Sequence, residues 1–146
     1  DELFASGKGF TKVDEARRFV AETGCDWLSV AIGNIHGAIS SGLKDQKKIA
    51  ARLDLEHLES LFRATGVPLV LHGGSGIPWE DVLASFQKGI VKINIGTEIR
   101  QAYETTLQST GKISAAQAAV YERTIWLISE YFGLKNIQPL LTREAP

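Results

Sequence analysis

The sequence predicts an α/β fold built on a parallel sheet, and three observations carry that reading. Helical and strand patterns alternate from Thr11 onward. The strand candidates are short, continuous apolar runs, the pattern of strands buried on both faces. Each of them also ends in polar or glycine-rich residues, and parallel α/β sheets collect their ligands at the C-terminal ends of their strands.

The elements follow in order. TKVDEARRFVAETG offers the Thr11 hydroxyl as an N-cap, Asp14 three residues later and Gly24 as a stop. Val13, Ala16, Phe19 and Val20 recur at helical spacing and form one apolar stripe. WLSVAIG, Trp27 to Gly33, reads as the first strand, with His36 and Gly37 just beyond it in NIHG. Ala38 to Ala51 is polar and reads as a loop, its Lys44, Lys47 and Lys48 as a solvated surface. DLEHLESLFRATG reads as the second helix, capped by Asp54, with Leu55, Leu58, Leu61 and Phe62 inward, His57 exposed and Gly66 as the stop.

VPLVLHG is the second strand, and IPWEDVLASFQKG the third helix, with Pro78 near its first turn and Gly89 at its end. IVKINIGT, Ile90 to Thr97, is the third strand, and helix resumes at Glu98. ISAAQAAVYERTIWLISEYFG then reads as one long amphipathic helix ending at Gly133, with Ala118, Tyr121, Ile125, Ile128 and Phe132 on its apolar face. Residues 1–10 show no element and read as loop or partly disordered chain. Three parallel strands cannot close a barrel, so the expected architecture is a small open domain or a part of a larger closed one.

Composition narrows the function. With 146 residues, 44% hydrophobic and 23% charged, the chain is long enough and apolar enough for one globular core. A formal net charge of −1 gives no electrostatic footprint for nucleic acid or an anionic membrane. No apolar run approaches the roughly 18 to 20 residues needed to span a bilayer, and no signal sequence opens the chain, so a cytoplasmic location is expected. The lone Cys25 excludes an internal disulfide and is read as a small hydrophobe without chemistry.

The candidate site is the convergence of polar residues at all three strand ends. His36 follows the first strand, His72 with GGSG follows the second, and Asn94 with Thr97 ends the third. Adjacent parallel strands lie about 4.8 Å apart, so two histidines at neighbouring ends can converge on one ion. Imidazole nitrogen suits Zn²⁺ and similar transition metals, whereas Mg²⁺ and Ca²⁺ take oxygen ligands. A further ligand must then come from elsewhere. The N–H groups of Gly73, Gly74 and Gly76 with the Ser75 hydroxyl can surround phosphate oxygens, aided by the N-terminus of the helix near Pro78, and Asn94 and Thr97 would complete the cup. Three glycines and a serine exceed what a plain strand-to-helix turn needs. Lys92 shares a strand face with Asn94 and is read as structural, with an acid as its expected partner.

VAIGNIHG, VPLVLHGGSGIP and VKINIGTEIRQAY, in this order and spacing, resemble the class II, metal-dependent fructose-bisphosphate aldolases and the related tagatose-bisphosphate aldolases. The resemblance runs from about Thr11 to the C-terminal helix. It implies a (β/α)8 TIM barrel, of which this chain is the C-terminal half, covering roughly the sixth to eighth strands as one part of a single domain. It implies that His36 and His72 are two of three histidine ligands of a catalytic zinc. Gly37, Gly73, Gly74 and Ser75, with Asn94, Ile95, Gly96 and Thr97, would hold the phosphate and backbone of dihydroxyacetone phosphate. The implied reaction is reversible cleavage of a ketose 1,6-bisphosphate through a zinc-stabilised enediolate, as in glycolysis, with the metal as Lewis acid. The family usually forms homo-oligomers, which the helix bearing Trp126 and Tyr131 has apolar surface to support.

Two departures are visible. The lysine that the family usually carries four residues after the first of these histidines is Ser40 here, and the first lysine is Lys44, a difference that bears on substrate preference. The third histidine ligand and the aspartate acid/base belong to the family's N-terminal half, so no catalytic proton carrier is expected within these residues, and the chain alone is expected to be inactive. The alternative is a non-catalytic sugar-phosphate binding domain or an aldolase relative with altered substrate.

Overall fold

The computed structural model describes residues 7–33 and 52–137. The chain divides into two compact units, Asp1–Thr97 and Glu98–Pro146. The first unit holds a three-stranded parallel sheet in the order β1-β2-β3, formed by Leu28–Val30, Leu69–Leu71 and Ile90–Ile93. The helices are α1 (Val13–Thr23), α2 (Leu55–Thr65) and α3 (Trp79–Phe86). The α/β alternation is as expected, with shorter strands than the apolar runs suggested. The predicted loop 38–51 and the histidine at its head lie outside the described residues.

Register assigns the two sheet faces. Leu28 pairs with Leu69 and Val30 with Leu71, while Leu69 also pairs with Ile90. Paired residues point to the same side, and Val30, Leu69, Leu71 and Ile90 are buried on that side together with Ile32, Ala16, Leu58, Leu61 and Val82. This is the core. The other face carries Ser29, Val70 and Lys92, which are also in register, and both Ser29 and Lys92 are exposed.

Helix boundaries follow local chemistry. Gly24 and Gly66 end α1 and α2 in the left-handed conformation, at φ 63° and 67°, each donating its N–H to the carbonyl four residues back. The Asp54 carboxylate caps α2 by accepting from the His57 N–H at 2.9 Å. Two expectations are corrected. Thr11 is not the cap of α1: Lys12 holds that position with no side-chain bond, and the Thr11 hydroxyl instead accepts from the Ala31 N–H at 2.9 Å while its own N–H donates to the Ala31 carbonyl. The start of α1 is thereby pinned to the end of β1. His57 is half-buried rather than exposed, with Nε2 2.7 Å from the Thr11 carbonyl oxygen and its ring 5.6 Å from that of Phe10. A carbonyl only accepts, so Nε2 carries the hydrogen.

The apolar stripes of α1 and α2 are narrower than their spacing suggested, because Phe19 and Phe62 are exposed. Phe62 nonetheless has a partner in Gly89, where a Cβ would lie 2.5 Å from its ring. Gly89 also needs its φ of 102°, and α3 ends before it, at Phe86, with Gln87 as C-cap.

The second unit holds α4 (Thr97–Thr110) from its second residue onward, α5 (Ile113–Trp126) and a π-helical turn, Leu127–Tyr131. Gly111, at φ 66°, separates the two helices. The expected single helix to Gly133 therefore changes pitch after Trp126, where the Phe132 N–H reaches the Leu127 carbonyl five residues back. Its expected apolar face is not the buried one. Ala118, Tyr121, Ile125 and Ile128 are exposed, whereas Ala116 and Leu127 are buried and Val120, Arg123 and Thr124 half-buried. An ion pair between Arg123 and Glu98 lies on this line, and the Arg123 guanidinium also lies 4.0 Å from the Trp126 ring centroid.

Candidate functional site

Strand register brings the second and third strand ends together. His72 follows β2 directly and is exposed. Side chains alternate along a strand, so His72 shares the face of Val70, and Asn94 that of Lys92. Val70 and Lys92 are partners across the sheet, which places His72 and Asn94 on one face at neighbouring strand ends. The pairing continues past β3 as the Asn94 N–H donates to the Leu71 carbonyl at 3.0 Å. The glycine-rich turn then folds back, the Gly74 N–H donating to the Asn94 carbonyl at 3.0 Å. His36 and Gly37 lie outside the described residues, as do Ser40 and Lys44.

The three glycines of this turn have distinct tasks. Gly73 and Gly76 adopt φ of 70° and 79°, the region that favours glycine. Gly74 has no such angle, but a Cβ there would stand 2.3 Å from Ile93 Cγ2 and 3.2 Å from Ile95 Cγ1. Ser75 is half-buried, and the buried Ile77 precedes Pro78, the N-cap of α3. The sequence-based surplus of glycine thus disappears: the turn itself uses all three. A ligand reading of this loop rests instead on its position beside His72 and Asn94.

Two further features modify the expected site. Glu80 and Asp81 occupy the first turn of α3 and offset the positive end that was expected to favour an anion. Among the described residues Lys92 pairs with no acid; its Nζ donates to Asn94 Oδ1 at 2.7 Å. Gly96 is exposed, with open space where a side chain would stand, and Ile95 and Thr97 are half-buried. The register between β2 and β3 shifts by one residue after Leu69, which pairs with Ile90, so that Val70 meets Lys92; this bulge has no signal in the sequence.

His72 contributes an exposed imidazole at a strand end, a ligand type that zinc accepts. Among the described residues no group of three or more His, Cys, Asp or Glu side chains forms a metal cluster. The fit is that of one contributed ligand. No helix among the described residues is long and apolar enough to cross a membrane.

The parallel three-stranded sheet and the helices that alternate with it make this an α/β protein, with His72, a folded-back glycine turn and Asn94 at adjoining strand ends. The family model described as fructose-bisphosphate aldolase class-II matches residues 1–136, and the chain belongs to that family. It is 37% identical over 136 residues to a fructose-bisphosphate aldolase of Streptococcus pneumoniae serotype 4, covering 90% of this chain and 44% of that protein. It is similar to the crystal structure of the YdjI aldolase from Escherichia coli K12, with TM-score 0.68 and 37% identity over 89% of this chain and 48% of that one. A fructose-bisphosphate aldolase structure from Campylobacter jejuni, 15% identical over 86% of this chain and 45% of that one, shares the fold with TM-score 0.60. The chain thus spans less than half the length of each of these proteins.

Proposed function

We propose that the chain supplies the C-terminal half of a (β/α)8 barrel, about strands six to eight, in a zinc-dependent ketose-bisphosphate aldolase. The substrate proposed is fructose 1,6-bisphosphate, cleaved to dihydroxyacetone phosphate and glyceraldehyde 3-phosphate. The observation that carries this reading is the hydrogen bond from Gly74 to Asn94, which joins the turn after His72 to the end of the next strand. The sheet face that bears the exposed Ser29 and Lys92 is where the interior of such a barrel would lie.

His36 and His72 are the zinc ligands this chain would contribute. Zinc, when bound, supplies Lewis-acid stabilisation of charge developing on the substrate's ketone oxygen. The chain's own residues bind and orient. Gly37, Gly73, Gly74 and Ser75 offer backbone and hydroxyl donors to the phosphate, and Asn94, Ile95, Gly96 and Thr97 form the facing wall. Residues outside this half supply the third ligand and the proton carrier, so these residues alone are inactive. The proposed partners are a small sugar phosphate and further copies of the same protein, in the cytoplasm.

A second reading, a relative with altered substrate or a sugar-phosphate binding domain, is favoured by Ser40, four residues after His36. The test is cleavage of fructose and tagatose 1,6-bisphosphates by the complete protein supplied with Zn²⁺. Turnover of either supports the aldolase assignment. A folded, zinc-supplied protein that leaves both intact contradicts it and favours the second reading.

A further inference from the structure

We propose that Lys92 is a positioning residue, one that fixes the Asn94 amide so that its NH2 group is the end offered to a phosphorylated ligand. The inference rests on the aldolase reading above, which puts Asn94 in the wall of the phosphate cup, and it assigns to Lys92 a task within that wall.

Three observations support it. First, the strand irregularity between β2 and β3 turns Lys92 toward the site. Leu69 pairs with Ile90, but Val70 pairs with Lys92, so Val91 is an extra residue on β3. Strict alternation would place Lys92 on the same side as Ile90, which is buried in the core. The bulge moves Lys92, and Asn94 two residues on, to the opposite face, and bulges of this kind re-aim side chains beside functional sites.

Second, the backbone of Asn94 is held at both ends, its N–H by the Leu71 carbonyl and its carbonyl by the Gly74 N–H. What remains free is the orientation of the side chain. Third, the Lys92 ammonium can only donate, so the oxygen of the Asn94 amide must face it, as it does at 2.7 Å. The Nδ2 group makes no hydrogen bond among the described residues, so it is the end left for a ligand. Its two donors suit phosphate or hydroxyl oxygens. The reversed amide would present a carbonyl oxygen to an anion, an arrangement with no donor and unfavourable charge. A charged donor holds the amide more firmly than a neutral one.

The experiment is steady-state kinetics on the complete zinc-loaded protein with its ketose bisphosphate, comparing Lys92→Met, Lys92→Arg, Asn94→Ala and the Lys92→Met/Asn94→Ala double variant. Losing the orienting bond should raise KM about five- to tenfold, the scale of one hydrogen bond, with a smaller change in kcat. Lys92→Arg, which retains donors, should recover most of the affinity. In the Asn94→Ala background Lys92→Met should have no further effect, because the amide it orients is gone. Lys92→Ser, which keeps a polar side chain too short to reach Asn94, replaces the methionine variant if that one does not fold.

An active wild type with unchanged KM in Lys92→Met overturns the inference and leaves the aldolase assignment standing. Equal KM effects of Lys92→Met with and without Asn94 also overturn it, since they show a role independent of the amide. A wild type that neither cleaves the sugar nor binds dihydroxyacetone phosphate overturns both.

Discussion

In α2, Leu58 and Leu61 are fully buried where their apolar spacing placed them, whereas Tyr121 and Ile125 of α5, equally regular in spacing, stand 68% and 45% exposed, and Ile128 of the π-helical turn 50%. The difference lies in what each helix packs against. In the first unit a sheet face of Val30, Leu69, Leu71 and Ile90 offers continuous apolar surface, and burial of leucine decides the helix orientation. In the second, the half-buried Arg123 and Glu98 pair, and the aliphatic and aromatic side chains on the other side of α5 remain outside. Regular apolar spacing therefore identifies a helix in both units but identifies its buried side only where an apolar partner surface is present.

The comparison can be broken most sharply in the first core. Leu58→Ala removes a fully buried side chain and should cost about 2 to 5 kcal/mol in chemical denaturation, as large-to-small core changes do. Tyr121→Ser, on the stripe that spacing alone would have buried, should stay within about 0.5 kcal/mol. Similar losses for the two would show that the α5 stripe is covered after all.

Next in size is the strand-end turn. Gly74→Ala places a methyl against Ile93 Cγ2 and should destabilise by about 1 to 3 kcal/mol. Combining it with Ile93→Ala, which removes that carbon, should reduce the penalty of the alanine at 74. An unchanged penalty would mean that the turn does not lie against β3 as described.

A smaller effect is expected at Thr11. Thr11→Val removes the acceptor of the Ala31 N–H and should cost about 1 to 2 kcal/mol, the range for a polar group left without its partner. A loss confined to a few tenths would return Thr11 to a role at the helix start alone.

The smallest effect is one of pH. The Glu59 carboxyl is held below its ordinary 4.5, chiefly by the hydrogen bond from Lys88 and then by the charge of Arg63. A carboxyl with a lowered folded pKa contributes stability that is present above its unfolded value and lost as the pH falls through the folded one. The advantage of the natural protein over Glu59→Gln should therefore be constant at neutral pH, shrink below about 4.5 and vanish in stronger acid. An advantage independent of pH would assign Glu59 a packing role instead.

Much of the first unit was legible because its signals are local. Asp54 caps α2, Gly24 and Gly66 stop their helices, and Leu69 to Leu71 form a strand buried on both faces. The places of Thr11 and His57 are not legible in the sequence, because their partners, Ala31 and the Thr11 carbonyl, are distant in it. The bulge at Val91 is invisible for the same reason: it is a relation between two strands, and nothing in IVKINIGT announces it. At the site, the position of His72 and Asn94 at strand ends could be read from the residues alone. The reason for Gly74 could not, because it depends on Ile93 in a neighbouring strand.

The central claim is that His72, at the end of β2, holds the metal of the proposed aldolase. Zinc content measured on the complete protein and on His72→Ala, with circular dichroism to show that both are folded, tests it most directly. Loss of stoichiometric zinc from a folded His72→Ala variant is the expected result. Equal zinc in the two proteins would contradict it.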